Sequence, residues 1–270
     1  MKKTNLLLGV ALAVTVLFTA CQKTEDQSNQ DFRKDVSKEV LAQIKALGFS
    51  TQDVIKTDEG YLVEGDILLT AENLDSKPDG KILETAAEEQ YHTTNLVTGL
   101  PRVITVSVAS SLPSNFGPAL NEALARYNAE GLQITFQRVS SGANISITAG
   151  PWWWWFFGIL GEGGFPTASG NPHNSIKMNS SAFSGASVGY LATVLAHEIG
   201  HCIGFRHTDF MDRSFSCGGS ATNEGDGGVG AIYIPGTSSG PESGSWMLSC
   251  SDGSDRPFTT NDKVALDYLY

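Results

Sequence analysis

Basic residues are scarce in this 270-residue chain: 18 Lys and Arg stand against 29 Asp and Glu, for a net charge of −11. That balance argues against nucleic-acid binding and against adhesion to anionic lipid, since both need basic patches. Long apolar runs are missing after the first twenty residues, so no later segment is expected to span a membrane. No internal repeat is present, which speaks against a repeat architecture. Cysteine is sparse, at four residues. What is present is ordinary for a globular chain: 41% hydrophobic and 17% charged residues, enough for one sizeable domain with a smaller appendage. The 29 glycines fall mostly after residue 140 and mark a loop-rich second half.

The first twenty residues read as an export signal, with Lys2 and Lys3 ahead of a short apolar run from Leu6 to Ala20. The run ends in Phe18-Thr19-Ala20-Cys21, which resembles a bacterial lipobox. Cys21 would then carry the lipid anchor, and the polar stretch that follows would be a tether. The expectation is a cell-envelope lipoprotein, periplasmic or surface-facing or released outside the cell, in an oxidising compartment. It would touch the membrane only through its lipid.

Residues 37–47 read as a short helix capped by Ser37 and stopped by Gly48, and residues 61–70 (YLVEGDILLT) as one strand. Residues 75–100 carry no strong period and hold a boundary. Beyond it come a strand at 102–109, an amphipathic helix over about 114–130 and two more strands, LQITFQRV and ANISITA. NSIKMNSSA is a further strand, residues 186–203 form a helix, and a last helix starts near Thr259, with Asp262 at its third position. The chain therefore divides into a signal at 1–20, a tether and small N-terminal segment at 21–95, and a larger domain at 96–270.

The helix at 186–203 carries the chemistry. His197 and His201 are four apart, so both imidazoles project from one face, one turn apart. They can reach a single tetrahedral zinc at about 2.0–2.1 Å. Glu198 lies about 100° around the helix, beside the metal rather than on it, where it can take a proton from a metal-activated water. Gly204 can adopt positive φ, end the helix and return the chain so that His207 becomes a third ligand. Three protein ligands leave a fourth position open, the mark of a catalytic zinc. Cys202 would close that position, and it points elsewhere around the helix.

The run His197-Glu198-Ile199-Gly200-His201-Cys202-Ile203-Gly204-Phe205-Arg206-His207 fits the metzincin signature and resembles the bacterial HEIGH metallopeptidase family. The resemblance extends over about residues 96–270, through AIYIPGT, Met247 in the position of the Met-turn, and the final helix. It implies an α+β catalytic domain, with a twisted mixed sheet, a long connecting helix, an active-site helix, a Met-turn and a C-terminal helix. It also implies one zinc ion, endopeptidase activity on protein or peptide substrates, and substrate lying along a sheet edge near Ile176–Asn179. A monomer is expected. One departure is Ser249, which stands where astacin-like relatives have a tyrosine that approaches the zinc. A different class of function is a surface-anchored binding or adhesion lipoprotein that uses a protease-like fold; it has no need of Glu198.

Upstream, VEGDILL resembles the F-E-G-D motif of astacin propeptides. By that resemblance Asp66 would be a fourth ligand that displaces the water and keeps the enzyme latent. The plain alternative is that Glu64 and Asp66 are exposed positions of an alternating strand.

Without Cys21 three cysteines remain, which points to one disulfide and one free thiol. Cys202 with Cys217 is the preferred pair, and Cys217 with Cys250 the rival. The aromatic run Trp152 to Phe157 is either a docking surface for membrane or hydrophobic substrate, or a loop folded over the core, with at least two rings exposed either way. His92 and His173 are expected to face solvent rather than bind metal. The glycine-rich stretch at 217–240 could hold calcium through Glu224 and Asp226, but the ligand spacing is too irregular to argue for it.

Overall fold

The structure is a computed structural model, and it describes residues 36–75, 90–220 and 231–270. The lipobox at Cys21 and the residues Glu224 and Asp226 lie outside these stretches. No helix among the described residues is long and apolar enough to cross a membrane.

Eight strands form one mixed sheet. In chain order they are β1 (Ile55–Lys56), β2 (Tyr61–Val63), β3 (Ile67–Leu69), β5 (Arg102–Val108), β6 (Ile134–Arg138), β7 (Ile145–Ala149), β8 (Gly161–Gly164) and β9 (Ser175–Met178). Their spatial order is β1-β2-β3-β8-β9-β7-β5-β6. The pairs β3–β8, β9–β7, β7–β5 and β5–β6 are parallel, and β1–β2, β2–β3 and β8–β9 are antiparallel. Two short strands, β4 (Tyr91–His92) and β10 (Ile232–Tyr233), pair separately.

Alternation explains why the central strands form and which way they face. In β5 Ile104 and Val106 are fully buried while Val103 is 54% exposed. Ile145, Ile147, Ile176 and Met178 continue the same buried layer across β7 and β9. Two helices cover it: α3 (Phe116–Ala129), with Leu120, Ala123, Leu124 and Tyr127 buried, and α4 (Val188–Ile203), buried from Leu191 onward. Tyr127 ties the helices together by donating its hydroxyl to the carbonyl of Ala196 at 2.7 Å. Ser187 caps α4, accepting from Tyr190 N at 3.2 Å. The last helix, α6 (Thr260–Leu269), starts with a complete capping box between Thr259 and Asp262.

The N-terminal segment has a small core of its own. Helix α1 (Lys38–Ala46) places Ile44 against Phe49, Val63, Ile67 and Leu69, with Phe165 reaching in from beyond β8. A one-turn helix α2 (Ala71–Asp75) follows β3, and another, α5 (Ser214–Cys217), lies in the loop after His207.

Two expectations change here. YLVEGDILLT is a hairpin rather than one strand, because Glu64 (φ 55°) and Gly65 (φ 95°) both take left-handed conformations and turn the chain between β2 and β3. The strand at Ile176–Asn179 is not an edge: β9 lies between β7 and β8. The outer side of β8 is instead paired with β3. The run Trp152–Phe157 is a 3₁₀ turn that buries Trp154 and leaves Trp152, Trp155 and Phe156 exposed, in keeping with the expectation of at least two exposed rings.

Candidate metal centre

Helix α4 and the turn after it deliver three imidazoles to one point. Gly204 caps the helix at φ 112°, and a Cβ there would sit 2.7 Å from Leu96, so both conformation and space require glycine. The chain then runs back through Phe205 and Arg206 to His207. His197, His201 and His207 are buried, and Nε2 of His197 lies 3.1 Å from Nε2 of His201.

The tautomers are fixed from behind. Nδ1–H of His197 donates to the carbonyl of Trp246 and Nδ1–H of His201 to that of Phe205, both at 2.8 Å. Each ring therefore keeps the Nε2 lone pair for the common point. The turn at Ser245–Leu248 supports this arrangement from below. Met247 is fully buried, with its sulfur where a Cβ on Gly200 would lie, 2.5 Å away. Its carbonyl accepts from Thr208 N at 2.9 Å.

The fourth group comes from the hairpin. Asp66 Oδ2 lies 3.3 Å from Nε2 of His197 and 3.2 Å from Nε2 of His207, and Oδ1 lies 3.9 Å from Nε2 of His201. One ligand atom from each of these four residues falls within 4.8 Å of the others. A tetrahedron of bonds near 2.0–2.1 Å has edges of about 3.3 Å, so the donor set and its spacing fit a single zinc ion. Among the described residues Asp66 Oδ1 accepts no hydrogen bond although Nε2 of His207 is 3.2 Å away, as suits two lone pairs aimed at one cation. Burial alone would raise the Asp66 pKa, but the imidazoles of His207, His197 and His201 outweigh it and hold the carboxyl well below the usual range.

Glu198 stands beside this cluster, 1% exposed, with Oε2 unpaired among the described residues. Burial first, then the negative charge of Asp66, pushes its carboxyl well above the ordinary value. It fits there because β8 is nearly bare: a Cβ on Gly161 would lie 2.4 Å from Oε1, and one on Gly163 would lie 2.9 Å from the Glu198 carbonyl. A cavity of about 390 Å³ opens next to it, lined by Asp66, His197, Glu198, Tyr190, Leu248 and Arg256 among others.

The other residues singled out from the sequence sit elsewhere. Ser249 turns away from the imidazoles, donating its hydroxyl to Asp209 at 2.9 Å. His92 and His173 are half-buried rather than facing solvent, and neither belongs to the cluster. His173 covers Gly164, and its burial there lowers its pKa to about 4. The disulfide joins Cys217 to Cys250, with Cα atoms 5.0 Å apart, and Cys202 is a free buried thiol. The preferred pairing of Cys202 with Cys217 is therefore corrected. Cys202 points into the core toward the Ser175 carbonyl of β9, whereas Cys217 ends α5 beside the chain that leaves the Met247 turn.

Sequence reasoning missed β8 itself, since Gly161-Glu162-Gly163-Gly164 has no strand propensity. It also missed Arg206, whose position inside the motif gave no sign of a buried partner. A cluster of glycines just upstream of β9 was the available signal for a close backbone approach.

Comparison with curated proteins finds no match. Among solved structures, two of myroilysin are similar. One is 20% identical, with a TM-score of 0.30, over 42% of this chain and 48% of that one. The other is 16% identical, with a TM-score of 0.41, over 65% of this chain and 96% of that one. The family model described as dual-action HEIGH metallo-peptidase matches residues 61–270, a stretch that includes the hairpin as well as the three histidines. With a metal-competent cluster on the very motif that gives the family its description, the chain belongs to the dual-action HEIGH metallopeptidases.

Proposed function

We propose that the protein is a zinc endopeptidase in which His197, His201 and His207 hold the metal, Glu198 is the general base, and Asp66 keeps the full-length chain latent. The observation that carries this reading is the convergence of three Nε2 atoms and one carboxylate on a single point, with the Glu198 carboxyl beside it. Zinc, when bound, acts as a Lewis acid on the scissile carbonyl and makes water a competent nucleophile near neutral pH. Glu198 accepts the proton of the attacking water and returns it to the leaving amide nitrogen. Its raised proton affinity suits a group that must both take and give a proton in one cycle.

Latency is supported twice over. Asp66 stands where the fourth position would be, and β3 pairs along the outer edge of β8, with Gly163 N donating to the Asp66 carbonyl at 2.9 Å. An extended substrate would need that same edge for its main-chain hydrogen bonds. The protein or peptide substrate therefore meets an occupied site until the hairpin leaves. Localisation follows from the lipobox: a cell-envelope protein held by lipid on Cys21.

Proteolysis of casein by the zinc-loaded protein, with and without chelator, tests the reading. Wild type should be weakly active, Asp66→Ala more active and Glu198→Ala inactive. The exposed rings of Trp152, Trp155 and Phe156 favour a second reading, adhesion by a protease-like fold. That reading is preferred if zinc-loaded wild type and Glu198→Ala prove equally inactive after N-terminal trimming.

A further inference from the structure

Arg206 stands between Phe205 and His207, and its side chain is fully buried. The guanidinium lies over the ring of Phe49 at 4.2 Å, with the ring of Phe210 at 5.3 Å. Its Nη2 donates to both carboxylate oxygens of Glu64, at 2.8 and 2.7 Å, and Nη1 donates to the Gly48 carbonyl at 3.3 Å. The Glu64 carboxylate also accepts from Ser50 N at 3.2 Å. Apart from Phe210, these partners belong to the N-terminal segment. A cation on the metal-binding turn is thus neutralised by the same hairpin that presents Asp66.

The turn between the two carboxylates is held stiffly. Glu64 takes φ 55°, a conformation uncommon for a residue with a Cβ, and such outliers persist only where surroundings enforce them. Arg213 supplies part of that constraint, donating from Nη1 to the Glu64 carbonyl at 2.5 Å. Its Nη2 lies 2.9 Å from where a Cβ on Gly65 would be. Glu64 and Asp66 are therefore fixed relative to each other across two residues, one seated on Arg206 and the other on the histidines.

We propose that Arg206 is a buried carboxylate receptor and Glu64 its latch, so that the ion pair, as well as Asp66 itself, keeps the hairpin in the metal site. The proposal rests on the latency reading above. Its physical basis is that a buried ion pair resists separation, because either partner alone would be left as an uncompensated buried charge.

The test uses the full-length zinc-loaded protein and follows zinc transfer to 4-(2-pyridylazo)resorcinol, together with hydrolysis of a quenched peptide. Glu64→Gln should speed zinc transfer at least roughly tenfold and raise hydrolysis, since part of the pair's strength is withdrawn from the hairpin. Glu64→Asp keeps the charge, so it is the variant to use if Glu64→Gln fails to fold by circular dichroism. Its carboxylate is shorter by one methylene, and it should show an intermediate acceleration. Glu59→Gln breaks a different ion pair of the same segment, to Lys177 at 2.8 Å on the exposed side, and should leave both rates at the wild-type value. Wild-type rates in Glu64→Asp or Glu64→Gln, alongside faster hydrolysis by Asp66→Asn, would overturn the latch while latency stands. Unchanged hydrolysis by Asp66→Asn would instead remove the latency reading and the latch with it.

Discussion

The two parts that meet at the candidate zinc site are built on opposite principles. Residues 197–207 are local: a helical turn places His197 and His201, a glycine reverses the chain, and His207 arrives within eleven positions. The turn at residues 64–66 is remote, with Asp66 lying more than 130 positions upstream of His197. The first part depends on backbone periodicity and would take much the same shape in any helix of this sequence. The second depends on docking: strand pairing of β3 with β8, the seating of Glu64 on Arg206, and the small core around Phe49. Under the proposed function, a catalytic constellation is encoded in one short segment while its restraint is encoded in tertiary contacts. That division suits a restraint meant to be removed.

Breaking the local part should have the largest effect. Glu198→Gln keeps the volume but not the base, and should lower kcat roughly 10³-fold with zinc content unchanged, measured by metal analysis and a quenched-peptide assay. The loop after His207 is pinned to the chain beyond Met247 by the disulfide, whose cysteines are 33 positions apart. Replacing Cys217 and Cys250 by serine should cost about 3 kcal/mol, read as a lower urea midpoint at constant slope.

Breaking the remote part should act in the opposite direction on activity. Asp66→Ala should raise hydrolysis by the full-length chain about tenfold or more, because the site no longer has to expel its own carboxylate. The gain should vanish once the N-terminal segment is cleaved away from both proteins. A loss of activity in Asp66→Ala would mean that the hairpin supports the site rather than blocks it.

The smallest effect concerns β8, where the two parts touch. His173 over Gly164 has a folded pKa of about 4, depressed by burial, with Glu59 favouring and Lys177 opposing its charge. Above about pH 6.5 the ring is neutral in both states and costs nothing. Between about 6.5 and 4 the unfolded chain takes a proton that the folded one refuses, so stability falls as pH falls through this window. Asp262, pushed up to about 6 by burial, works in the opposite sense, losing its contribution as pH rises through that value. The difference between wild type and His173→Gln isolates the histidine, and should amount to about 1–3 kcal/mol between pH 7 and pH 4 in denaturant melts.

Legibility from sequence follows the same division. The histidine spacing, the Gly204 turn, the Thr259 cap and the helices α3 and α4 were readable because each is decided within a few residues. The hairpin was read as one strand because nothing in VEGD announces positive φ at a glutamate, whose contacts to Arg206 and Arg213 come from far along the chain. Strand β8 escaped notice since its glycines make room for Glu198 at Gly161 and Gly163 and for His173 at Gly164, and carry no strand propensity. The disulfide preference for Cys202 failed because sequence proximity to the third histidine says nothing about which helix face enters the core. In each miss the deciding partner was distant in the chain.

The most direct test of the account is the coordination shell of zinc in the full-length protein, by X-ray absorption or a zinc-loaded crystal structure. The account requires one zinc per chain bound by three histidine nitrogens at about 2.0–2.1 Å and one Asp66 oxygen at about 2.0–2.2 Å. A zinc carrying three histidines and water, with Asp66 turned away, would contradict it.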